Sequence, residues 1–385
     1  MRKFMTIKYA ALQATYWMSA CFFYSFTQTF LSAKGLSEPE VGLVLAISNI
    51  AAFLIQPIVA ALMDRNRRVT FRSVISLLAG AATLAGVAVY FAQPKLIVSI
   101  LFITLTTLMV VVQPLVNSIG FVYVNRGEKL NYAASRGIGS GCYALIALVY
   151  GRLAVINVDY LLVGYVVLSI IFLAIELWLS PKKDIVQQTT NVGGNFALLK
   201  KHPHFFLMLV GMTLLFLEHN LINAYLLSIV ENVGGAKSDV GVAVFIAAGL
   251  EVPVMMLYTR IQTKVGVEKL IKFAAVFFTI KSAILLGPFG LTGVFVSQAL
   301  QLAGYAILIP ATGYYVNAMV VEEDRVKGQA LLTASIAIAG VFGYLLGGIL
   351  MGSLTVFSSV LIGTGISVLG TIIMLASTKR ILPRE

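Results

Sequence analysis

Runs of about twenty apolar residues recur along this chain, and no other feature constrains its fold as strongly. A helix needs about 20 largely apolar residues to cross the hydrocarbon of a bilayer. Measured that way, the sequence offers spans near 9–33, 41–63, 73–93, 96–122, 132–156 and 160–180, then near 205–230, 239–260, 270–287, 291–320, 329–351 and 355–377. A polar stretch, PKKDIVQQTTNVGGNFALLKKHPH (181–204), divides them six and six. Only 11% of the 385 residues are charged, where a soluble domain has about 25%. Such a chain cannot cover itself with polar surface. The expectation is an all-α membrane protein of twelve transmembrane helices. Residues 1–180 form one six-helix bundle, 181–204 a linker and 205–385 a second bundle.

The net charge of +12 resembles a nucleic-acid signature until the charges are placed. All but five of the 28 Lys and Arg residues fall at the termini or in alternate loops on one side. The five are Lys34, Lys95, Arg152, Lys237 and Lys281, assigned to opposite loops and helix ends. Cytoplasmic loops are the basic ones, so both termini and the 181–204 stretch are expected in the cytoplasm. Span 1 is full length, shows no cleavage pattern and would serve as an uncleaved insertion signal. The chain is thus expected to be multi-pass in a cell membrane, a bacterial cytoplasmic membrane in this reading, with lipid rather than nucleic acid around it. Cys21 and Cys142 both lie in apolar segments, so no disulfide, metal or cofactor framework is implied. No Walker loop is present. Paired halves about a midplane site describe a secondary transporter, here expected to act as a monomer. Basic loops after the second span of each half, DRNRRVTFR (64–72) and TRIQTKVGVEK (259–269), fit an internal duplication.

The loop ALMDRNRRVTFR (61–72) resembles the signature between helices 2 and 3 of the major facilitator superfamily. Asp64, Arg65, Arg67 and Arg68 fit its charged part, while Ala60 replaces its leading Gly. The resemblance implies a cytoplasmic gate at these four residues, alongside the simpler reading of a topology-setting basic loop. Within that superfamily the chain is most similar to lactose-permease-like sugar:proton symporters. VGLVLAISNIAAFLIQPIVAALMDR (41–65) looks like their helix 2, and SRGIGSGCYAL (135–145) like their helix 5. There the resemblance implies that Arg136 grips sugar hydroxyls while Tyr143 packs on the ring face. GLEVPV (249–254) is similar to their helix 8, which makes Glu251 a substrate acceptor. Their helix-4 carboxylate falls on Asn117, or on Ser118 if the register slips by one. Their helix-10 His, Glu and Lys fall on Gln301, Gly304 and Gln298, so the usual coupling groups are missing from that helix.

An ionised side chain at mid-bilayer costs about 2.5–3.5 kcal/mol, so each one is a functional candidate. Three carboxylates lie within predicted spans. Glu176 sits near a span end and reads as structural, reaching toward Lys182 or Lys183. Glu251 is followed by Pro253, which frees backbone groups that only a cavity or packed protein can satisfy. Glu218 lies in LLFLEHNLINAYLL (214–227) beside His219. At about 100° per residue His219, Asn223 and Asn220 form one polar stripe, with Glu218 and Tyr225 on another face. Glu218, His219 and Glu251 are therefore expected to couple proton movement, replacing the missing helix-10 groups. The alternative is interhelical hydrogen bonding, about 0.6 kcal/mol per group. Gln28, Asn220, Asn223 and Gln301 are further candidates for contact with solute hydroxyls, with Arg136, Tyr143, Glu251 and Asn117.

The function expected is secondary transport of a small polyhydroxylated solute (sugar, oligosaccharide or glycoside) by alternating access, with protons as the candidate coupling ion. Export of amphipathic drugs or aromatic acids on the same fold is one alternative. A non-transporting receptor is another. An enzyme would need a convergent nucleophile–base or metal set, and no such spacing occurs.

Overall fold

The computed structural model describes residues 4–66, 69–128, 130–179, 198–200, 202–321 and 324–379. Most of the expected linker, with Lys182 and Lys183, lies outside the described residues. So do Arg67, Arg68 and the side chain of Asp64. Arg65 is exposed at the last turn of its helix.

The described residues form helices joined by short connections. They are α1 (Phe4–Ser25), α2 (Thr27–Ala33), α3 (Glu38–Arg65), α4 (Phe71–Phe91), α5 (Lys95–Asn125), α6 (Tyr132–Ile156) and α7 (Asp159–Leu179). Then follow α8 (Pro203–Ala224), α9 (Leu226–Asn232), α10 (Lys237–Lys264), α11 (Val267–Ile284), α12 (Gly290–Ala299), α13 (Tyr305–Met319), α14 (Arg325–Ser353) and α15 (Val356–Ser377). Among the described residues, ten helices are long and apolar enough to cross a membrane. The expected spans 9–33 and 270–287 fall outside that set. The physical reason is plain in α11, where Glu268, Lys269, Lys272 and Lys281 share 18 residues.

Helix ends are set by local chemistry. Ser37 starts α3 through a bond from its own N–H to Glu40, at 2.7 Å. Asn131 accepts from the N–H of Ala134 at 3.0 Å and starts α6. Gly35 and Gly234 close the first and seventh spans at φ 87° and 82°, a left-handed backbone that suits glycine.

Two compact units result, one comprising Met1–Thr189 with Ala236–Ala248, the other Thr190–Gly235 with Gly249–Glu385. In the first, α1 packs on α6 and α7, and α4 packs on α5 and α7. In the second, α8 packs on α14 and α15, and α11 packs on α13 and α15. Numbered by the twelve expected spans, the packing pairs 1–5, 1–6, 3–4 and 3–6 recur as 7–11, 7–12, 9–10 and 9–12. The likeness between the units shows in detail where α1 and α2 are set beside α8 and α9. Each pair is a 22-residue helix, one non-helical residue, then a 7-residue helix. The breaking residues, Phe26 (φ −117°, ψ 10°) and Tyr225 (φ −112°, ψ 28°), have nearly the same backbone. Glycines let the central helices approach their neighbours. A β-carbon on Gly343 of α14 would lie 2.6 Å from the carbonyl of Leu217 on α8.

Span 10 is also broken. A 3-10 turn at Leu300–Leu302 and Gly304 (φ −88°, ψ −86°) separate α12 from α13. Such mid-span 3-10 turns often mark functional positions, and this one carries Gln301.

Candidate functional site

In the second unit, the stretch around Glu218 and His219 belongs to a buried polar network drawn from four spans. Glu218 and His219 come from α8, Glu251 from α10, Lys281 from α11 and Gln301 from the 3-10 turn. Lys281 is 2% exposed. Its ammonium donates to Oε1 of Gln301 at 2.6 Å and lies 3.4 Å from Nδ1 of His219. Gln301 in turn donates through Nε2 to Glu251. One side-chain amide therefore joins the cation to a carboxylate.

His219 has both ring nitrogens engaged. Nε2 lies 2.9 Å from the amide of Asn223, one helical turn on. Nδ1 faces the ammonium of Lys281, and Nε2 faces the amide nitrogen Nδ2 of Asn223. The ring stacks on Tyr305, with centroids 5.1 Å apart and planes 15° from parallel, and Phe216 and Phe278 close its other sides.

Glu218 turns away from this stripe, as the helical geometry predicts. It is fully buried, and neither carboxylate oxygen has a hydrogen-bond partner among the described residues. Lys281 acts on it through charge, and the hydroxyl of Ser282 lies beside it. Ser282 is itself paired with Thr364 of α15 at 2.6 Å. Asn220 is not part of the network; its amide donates back to the carbonyl of Phe216 at 2.6 Å.

The first unit holds a different set. Gln13 donates to the hydroxyl of Tyr9 at 2.7 Å and to Oδ1 of Asn117 at 3.2 Å. It accepts from the indole N–H of Trp17 at 3.1 Å. The guanidinium of Arg136 sits 4.0 Å above the Trp17 ring and donates to Ser140 at 2.7 Å. Trp17 stacks on Tyr24 (6.2 Å, 19°) and meets Tyr143 edge-on (6.2 Å, 67°). Tyr143 shares a hydrogen bond with Ser25. Arg136 and Tyr143, expected together on α6, thus both meet the indole of α1. Asn117 joins this network, whereas Ser118 bonds back to Pro114 of its own helix at 2.8 Å.

Gln28 lies elsewhere. It is 3% exposed and donates to both oxygens of Glu38, at 2.9 and 3.0 Å, joining α2 to α3. Glu176 is fully buried and accepts from Ser76 of α4 at 2.7 Å.

Among the residues of these networks that sequence reasoning misses are Lys281 and Trp17. Lys281 falls among the loop and helix-end charges there, although its position inside the expected span 270–287 is signal enough to make it a candidate. Trp17 passes as ordinary packing. Its signal is the spacing of Gln13, Trp17 and Tyr24 at i, i+4 and i+11, which sets them along one helix face.

The profile of the MFS_1 like family matches residues 8–361. The maltose permease of Geobacillus stearothermophilus is 24% identical over 358 residues, covering 90% of this chain and 87% of that one. Among solved structures, the nucleoside transporter NupG superposes with a TM-score of 0.79 at 15% identity, over 98% of this chain and 99% of its own. A D-xylose–proton symporter superposes with a TM-score of 0.73 at 14% identity, over 100% of this chain and 98% of its own. At these identities the structural likeness establishes the fold.

Proposed function

This chain belongs to the MFS_1 like family of multi-pass membrane transporters, and on that premise we propose that it carries a small polyhydroxylated solute coupled to protons. In this reading it spans the membrane twelve times with both termini in the cytoplasm, and works by alternating access as a monomer. The observation that carries the solute class is Arg136 seated on Trp17 with Tyr143 at the indole edge. A guanidinium presents a fixed fork of donors that suits vicinal hydroxyls. Aromatic faces beside it suit the apolar face of a sugar ring. Asn117 and Gln13 add neutral donors and acceptors where a carboxylate would instead select for a cation. The relatives named for maltose and D-xylose support this class.

A nucleoside is the second reading. It too is polyhydroxylated, and the stacked pair Trp17–Tyr24 offers a platform for a flat base. The fold of NupG is consistent with it.

Proton coupling is assigned to Glu218, His219 and Glu251. The purified protein in proteoliposomes, with a pH-sensitive dye inside, tests both parts. Counterflow of labelled maltose, D-xylose and uridine reads the solute class. Dye response on adding solute to solute-free proteoliposomes, where net uptake occurs, reads coupling. Counterflow in the first assay and a proton flux matching net uptake in the second are the expected results. Net uptake without proton movement would remove the coupling, and no counterflow with any of the three would remove the solute class.

A further inference from the structure

Gln13 of α1 meets three side chains, and their chemistry leaves its amide one orientation. An indole has an N–H to give and nothing to accept with, so the Gln13 atom 3.1 Å from Trp17 is Oε1. The amide nitrogen then lies 2.7 Å from the hydroxyl of Tyr9 and 3.2 Å from the side chain of Asn117 on α5. Tyr9 agrees with this assignment. Its single proton is directed at the main-chain carbonyls of Val116 and Asn117, at 3.2 and 3.3 Å, which leaves the hydroxyl to accept from Gln13. Both protons on Nε2 are thus used, one on Tyr9 and one on Asn117. Asn117 has to receive its proton with an oxygen, so Oδ1 faces Gln13 and the NH2 group is turned away. That NH2 group has no hydrogen bond among the described residues. Asn117 is only half-buried, whereas Gln13 is 0% exposed and out of a solute's reach.

We propose that Gln13 locks the Asn117 amide with its donor outward, so that the solute site of the first unit reads acceptor oxygens at Asn117 as well as at Arg136. The guanidinium, seated 4.0 Å above the Trp17 ring, is likewise a donor and never an acceptor. A hydroxyl, ether or carbonyl oxygen satisfies such a pair. An ammonium does not, so a solute carrying an amino group in place of the hydroxyl that meets Asn117 is refused. Burial makes the lock effective. Turning the Asn117 amide over would set NH2 against NH2, and a buried donor left without an acceptor is costly. Gln13 is a positioning residue, since it acts on the solute through Asn117. The inference deepens the polyhydroxylated-solute reading above and rests on it.

The test uses the full-length protein in proteoliposomes and whichever of maltose, D-xylose and uridine undergoes counterflow, with its monodeoxy and monofluoro analogues as competitors. Fluorine accepts a hydrogen bond weakly and cannot donate one, while hydrogen does neither. At one hydroxyl position the native protein should bind the fluoro analogue about twofold more tightly than the deoxy analogue, the low end for a neutral hydrogen bond. Asn117→Leu should abolish that preference. Asn117→Asp, which presents an oxygen instead, should reverse it. Gln13→Met frees the amide to turn and should shrink the preference, whereas a merely structural role would lower all the affinities together. Absence of a fluoro preference that depends on Asn117 would overturn the proposal, as would a preference unchanged in Gln13→Met. Should Gln13→Met not fold, the two Asn117 variants decide through the same competitors. No counterflow with any of the three solutes would remove the solute class but not the lock, which a solute-free measurement then decides. Asn117→Asp keeps an oxygen toward Gln13, so it should lower the melting temperature more in a Gln13→Met background than in the native protein. An equal or smaller loss in that background would overturn the lock by itself.

Discussion

The ammonium of Lys281 and Oε1 of Gln301 lie 2.6 Å apart, across the junction of α11 and the broken span 10. That pairing turns a neutral amide into the bridge between a buried cation and Glu251. It also gives the 3-10 turn at Leu300–Leu302 a physical role, because the turn positions Gln301 between the two.

Replacing Gln301 by Leu leaves Lys281 and Glu251 each short of a hydrogen bond. Bonds to charged groups contribute about 1.5–3 kcal/mol each. Gln301→Leu should therefore lower thermal stability in detergent measurably, while Gln298→Leu on the same span should change it less. Equal melting temperatures for Gln301→Leu and the native protein would show the bridge to be unimportant.

Glu218 and Glu251 should separate in transport assays. Glu218→Gln mimics a permanently protonated carboxyl, so counterflow should continue while solute-driven proton flux disappears. Glu251→Gln should weaken both, since Glu251 is also a candidate solute acceptor. Loss of counterflow in Glu218→Gln with a normally folded protein would assign Glu218 to solute binding instead.

Trp17 and Trp178 are the two tryptophans of the chain. Trp178→Phe leaves Trp17 as the single reporter beneath Arg136. Its emission should change when the transported solute is added, and the change should be absent in Arg136→Ala. The cation–π interaction that Arg136→Ala removes is worth about 0.5–2 kcal/mol.

Gly139 permits Trp17 to lie where it does. A β-carbon there would meet the indole Cδ1 at 2.9 Å and the carbonyl of Gln13 at 3.2 Å. Gly139→Val should displace the indole and cost about 1–3 kcal/mol through overpacking. Its solute affinity should fall at least tenfold, whereas Gly141→Val, at a position with open space around it, should retain binding. Fluorescence titration of the single-Trp protein measures both.

The apolar helices, and the polar groups that LLFLEHNLINAYLL (214–227) carries within one of them, are legible because each rests on local composition. The 22-plus-7 break in spans 1 and 7 is not, since Phe26 and Tyr225 carry no breaker signal. The helix-4 alternative between Asn117 and Ser118 cannot be resolved by counting along the chain. It depends on which side chain meets Gln13 from another helix.

The sequence by itself determined the solvent, the rhythm of the spans and the shortlist of polar groups within them. These follow from hydropathy and from the 100° helical step, which act over a few residues at a time. Only the tertiary structure decided the partnerships. Lys281 reads as a loop charge until α11 brings it against Gln301 and His219, and Trp17 reads as packing until α6 lays Arg136 on its face. Gln28, likewise, gains a partner from α3, which presents Glu38 to it. A buried polar group takes its meaning from the group opposite, and in a helical bundle that group comes from a distant part of the chain.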